Sequence, residues 1–225
     1  MSREMKRYVS IFMIAIMSVQ MLIHSYAGGN SNLSILRMED ESGNLYALEQ
    51  EENIKTRIVK LYDDTNRLVL TLEFDKTTGT LKNLNTGYSL EIPGMDKKIG
   101  PCSVLSDKDY EYEFCSLGES YTSTSTITVG EIVDMVGVTA SVVTIAAIIA
   151  SMAGIAVFQG AAQNKVKMLA KEIAALIAAG NSDHVIEMEF QFVCREVWEA
   201  DESYPDGGFW FLGYVVDSSY FDFNI

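Results

Sequence analysis

Met135 to Asn164 reads MVGVTASVVTIAAIIASMAGIAVFQGAAQN, 30 consecutive residues without a charged side chain. Large apolar residues crowd its middle, among them Val142, Val143, Ile145, Ile148, Ile149, Met152 and Ile155. The small residues are spaced as well: Ala146, Ala150 and Gly154 recur every fourth position, as do Ala147 and Ser151. That spacing lets helices approach closely. The stretch also exceeds the ~20 residues that a helix needs to cross a bilayer. Three readings follow. The segment is a helix enclosed by β-structure, a helical hairpin stored for release into a target membrane, or a single-pass anchor. For the anchor, the acidic side chains Glu119, Glu131 and Asp134 precede the segment and Lys165, Lys167 and Lys171 follow it, the asymmetry expected if the C-terminal side stayed in the cytoplasm.

Working outward, Thr128-Val129-Gly130-Glu131 has the form of a capping box, in which Thr and Glu satisfy each other's free amides at a helix start. On the other side Gln159-Gly160 is a plausible break. Val166, Leu169, Ala170, Ile173, Leu176 and Ile177 then lie at helical spacing, with Lys165, Lys167, Lys171 and Glu172 elsewhere on the circumference. Gly180-Asn181 supplies a stop. Residues 127–181 are therefore expected to form a helical region around an apolar hairpin.

The flanks read as β-structure. In 28–126, Leu68, Leu70, Leu72 and Phe74 alternate with Val69, Thr71 and Glu73, and Tyr88, Leu90 and Ile92 with Ser89 and Glu91. Turn clusters separate such runs, including Asp63-Asp64-Thr65-Asn66, whose spacing fits no EF-hand loop and is read as turn chemistry. In 182–225, Ile186, Met188, Phe190, Phe192 and Cys194 alternate with polar residues, and Pro205-Asp206-Gly207 turns the chain into an apolar return strand from Phe209 to Val216. The expected class is α+β: an N-terminal antiparallel meander, a central apolar helical hairpin and a C-terminal β-hairpin packed with the β-rich region.

Residues 1–27 have the form of a secretory signal peptide. Arg3, Lys6 and Arg7 precede the uncharged Val9 to Ile23, and Ser25-Tyr26-Ala27 places small residues at −3 and −1. An uncleaved anchor is the alternative. Cleavage takes three of the 17 basic side chains and one of the 31 acidic, leaving a net charge of −16. That charge opposes nucleic-acid binding and simple attraction to anionic lipid. The expected location is outside the cell.

No motif for catalysis appears. The mature chain has one histidine, His184, so a two-histidine zinc site is excluded, and there is no CxxC, GxSxG, Walker loop or GxGxxG. Glu187 and Glu189 occupy the outward face of an alternating strand. A non-enzymatic protein without cofactor or metal is expected. Of three cysteines, a Cys102–Cys115 disulfide is expected, with Cys194 a buried thiol, all three free being the alternative.

In outline, the signal peptide ending Ser25-Tyr26-Ala27, the β-rich first half, the stretch Ile145-Ala146-Ala147-Ile148-Ile149-Ala150 and the aromatic C-terminal hairpin resemble the large, heat-labile, unmodified secreted bacteriocins of bacilli, the geobacillin type. The resemblance rests on no specific motif and transfers no residue. It implies killing of related bacteria, with a bacterial membrane or an envelope receptor as the partner. On that expectation Val142, Ile145, Ile148, Ile149, Met152 and Ile155 contact lipid, and Ala146, Ala150 and Gly154 pack helix on helix. Lys165, Lys167 and Lys171 meet headgroups, and the protein self-associates on the membrane. The competing expectation is an extracellular binding or immunity-like module whose helix never leaves its core.

Overall fold

Alternation builds the first sheet. In the computed structural model, which describes residues 34–40, 42–53, 55–95, 116–137, 140–158, 162–200 and 208–225, strands β1 (Ser34–Glu39), β2 (Leu45–Glu52), β3 (Thr56–Tyr62), β4 (Leu68–Asp75), β5 (Thr80–Asn83) and β6 (Ser89–Glu91) follow one another. They pair antiparallel in sequence order, so the sheet is a six-stranded meander. Leu36, Met38, Leu48, Val59, Leu61, Leu70, Leu72, Phe74 and Leu81 are buried on one face. The period of two sends their neighbours to the other face. The turns are self-supporting. Asp63 accepts from the backbone amides of Thr65 and Arg67, as turn chemistry requires.

The second sheet departs from the expected hairpin. Strand β7 (Ser120–Thr128) leaves the first zone and pairs with β8 (Val185–Ala200), which pairs with β9 (Gly208–Asn224), in the order β7-β8-β9. The C-terminal hairpin is thus completed to three strands by a segment about 60 residues upstream, a non-local pairing that no local pattern announces. Ile186, Met188, Phe190, Phe192 and Cys194 are all buried, as their alternation requires. Tyr121 stacks on Phe192 at 5.0 Å and meets Tyr214 edge-on at 4.8 Å.

Between the sheets in sequence lie helices α1 (Val129–Val136), α2 (Val142–Ala153) and α3 (Gln163–Ala178), with a 3-10 turn at Ile155–Phe158. The capping box at α1 forms: the Glu131 amide donates to Thr128 Oγ1 at 3.1 Å and the Thr128 amide to Glu131 Oε2 at 2.6 Å. At the far end of α3, Gly180 adopts φ +75°. Its amide donates to Ile177 O and that of Asn181 to Leu176 O, a Schellman termination at the predicted stop.

The uncharged stretch is not one long helix. It contains the end of α1, all of α2, the 3-10 turn and only the start of α3. Gly137 and Gly154 end the first two helices with φ of +90° and +86°, backbone that residues with a Cβ rarely adopt. Among the described residues no helix is long and apolar enough to cross a membrane. Helix α2 has 12 residues, about 18 Å of rise against ~30 Å of hydrocarbon. It packs on β3 and β4 on one side and on α3 on another, while α3 and the 3-10 turn reach β9. One continuous apolar core runs from the first sheet through α2, α3 and the 3-10 turn to the second sheet.

Candidate functional site

Eleven of the twelve residues of α2 are buried, Thr144 being the exception. Val142, Ile145, Ile148, Ile149 and Met152, with Ile155 in the 3-10 turn, are therefore enclosed together, and Val142 at 8% is the most exposed of them. Ala146 and Ala150 are fully buried. Gly154, the third small residue of that series, lies beyond the helix as its C-cap. Its role is to end the helix and to leave room for a guanidinium: a Cβ built there would sit 3.5 Å from Arg57 Nη2.

That guanidinium belongs to a buried polar latch. Residues Gln50, Glu52 and Arg57 sit near the paired ends of β2 and β3, where Glu52 faces Arg57 across the ladder. Arg57 Nη1 donates to the carbonyls of Ser151 at 3.1 Å and Met152 at 2.7 Å. These are acceptors that a helix end leaves without an internal donor, and they carry the negative end of the helix dipole. Arg57 Nη2 pairs with Glu52 Oε1 at 2.7 Å, and Lys76 Nζ reaches the same oxygen at 2.6 Å. Gln50 Nε2 donates to Glu52 Oε2 at 2.8 Å, while Gln50 Oε1 accepts from the Ile155 amide at 2.7 Å. Arg57 and Lys76 are 4% and 6% exposed, so the cations are truly internal.

Two opposing effects set the ionisation of Glu52. Burial works to raise its pKa, but the Arg57 and Lys76 charges and their hydrogen bonds win and hold it at about 2. The carboxylate therefore stays ionised at neutral pH. Arg57 Nε is buried without a partner, a cost that the rest of the network offsets. Helix α1 is fastened in the same manner, with the buried Asn83 donating from Nδ2 to the Met135 carbonyl at 2.6 Å. Polar side chains of the meander thus cap the C-terminal ends of both helices.

The lysines expected at headgroups lie on α3. Lys165 pairs with Asp222 of β9 at 3.0 Å, Lys171 is exposed and Lys167 is half-buried. Burial, then the neighbouring Lys171 charge, lowers the Lys167 pKa. Glu187 is exposed and Glu189 half-buried on the outer face of β8, where Tyr220 donates to Glu189. Among the described residues no group of three His, Cys, Asp or Glu side chains gathers to hold a metal ion.

Cys194 is buried, as its strand register predicts, but it is disulfide-bonded instead of a free thiol. The expected Cys102–Cys115 pair lies outside the described residues, as do residues 1–27 and the proposed break at Gln159-Gly160.

The latch was absent from the sequence reading. Its one visible signal is parity: Arg57 shares a strand face with the apolar Val59 and Leu61, an unexpected place for a guanidinium. Lys76 sits in a turn, where no periodicity singles it out. No protein-family model matches the chain, and neither a curated protein nor a solved structure matches it. The bacteriocin resemblance accordingly rests on the outline of the sequence alone.

Proposed function

We propose that the protein is an exported, non-enzymatic binding module that acts in its folded state, with α2 as the shared core of its two sheets. The observation that supports this reading is the enclosure of α2 together with the latch on its C-terminal end. Fully burying a large apolar side chain is worth about 1.5–3 kcal/mol. Exposing Val142, Val143, Ile145, Ile148, Ile149 and Met152 to water would then forfeit about 9–18 kcal/mol, as much as a whole domain's stability of about 5–15 kcal/mol. The helix is committed to the fold, and the fold does not survive its departure in water.

The second reading, an antibacterial protein that inserts its helices into a bacterial membrane, draws on the same apolar pair α2 and α3 and on the accessible Lys171. It requires lipid to compensate for the lost core and the Arg57 and Gln50 contacts to break first. Liposome leakage separates the two. The purified protein is incubated with dye-loaded vesicles of neutral and of anionic lipid, near neutral pH and in mild acid. The binding-module reading expects no release and expects Ile148→Asp to abolish folding, because an unpaired carboxylate would replace a fully buried side chain. Release by the native protein, lost in a folded Ile148→Asp variant, would favour insertion instead.

A further inference from the structure

We draw no further inference here: the strongest candidate, the exposed hydroxyl row of Ser120, Thr122, Thr124 and Thr126 that β7 sets beside Glu187 and Glu189 of β8 on the outer face of the second sheet, is an unpartnered sheet face, and nothing in the structure shows what covers it.

Discussion

Replacing Glu52 by Gln tests the latch with the least change of shape. In the native protein one Glu52 oxygen serves both Arg57 at 2.7 Å and Lys76 at 2.6 Å, and the carboxyl pKa falls from 4.5 to about 2. A displacement of that size corresponds to roughly 3 kcal/mol of preference for the charged form in the folded state. Removing one partner of a buried ion pair costs about 3–5 kcal/mol by a separate line of evidence. The two agree, so the variant should lose about 3 kcal/mol near neutral pH. The folded pKa lies below the unfolded one. The stabilisation is therefore complete above the unfolded value of 4.5 and is lost as pH falls from there through about 2. Urea unfolding followed by circular dichroism at several pH values reads both effects. Native protein and variant should differ most at neutral pH and converge in strong acid. A variant as stable as the native protein at neutral pH, or a deficit that persists unchanged into strong acid, would refute the reasoning.

Three further perturbations probe other joints. Thr128→Ala removes the capping box of α1 and should cost about 1 kcal/mol in urea unfolding, with the fold intact. Gly94→Ala should destabilise by more, about 2 kcal/mol or above, because φ is +80° and the new Cβ would lie 2.2 Å from the Thr124 carbonyl oxygen, at the point where Ser123 bonds the Gly94 carbonyl. In protein denatured without reductant Cys194 should resist alkylation and become reactive after reduction; labelling before reduction, read by peptide mass spectrometry, would contradict its disulfide.

What could be read from the chain beforehand was whatever depends on neighbours in sequence. The Thr128–Glu131 box, the Gly180 stop and the alternation from Ile186 to Cys194 all hold in the structure because three or four residues suffice to specify each. The uncharged run misled in length alone. Absence of charge marks burial and not helical continuity, and Gly137 and Gly154 divide the run where backbone of positive φ is needed. Two features were invisible for a common reason. Strand β7 finds β8 across the whole helical region, and Arg57 finds the carbonyls of Ser151 and Met152 more than 90 residues away. Such pairings are chosen by the packed core, whereas local patterns report only which face of an element is apolar. The residues expected to contact lipid, from Val142 to Ile155, are enclosed in the protein's own interior in this structure, because an uncharged run reports burial without saying what buries it.

Hydrogen exchange of residues 142–153, followed by mass spectrometry with and without lipid vesicles, tests the central claim most directly. If α2 is the shared core, its amides should be among the slowest in the protein, exchanging only through global unfolding, and vesicles should leave them unchanged. Early exchange of this peptide in the free protein, or loss of its protection on adding vesicles while the sheets stay protected, would contradict the account.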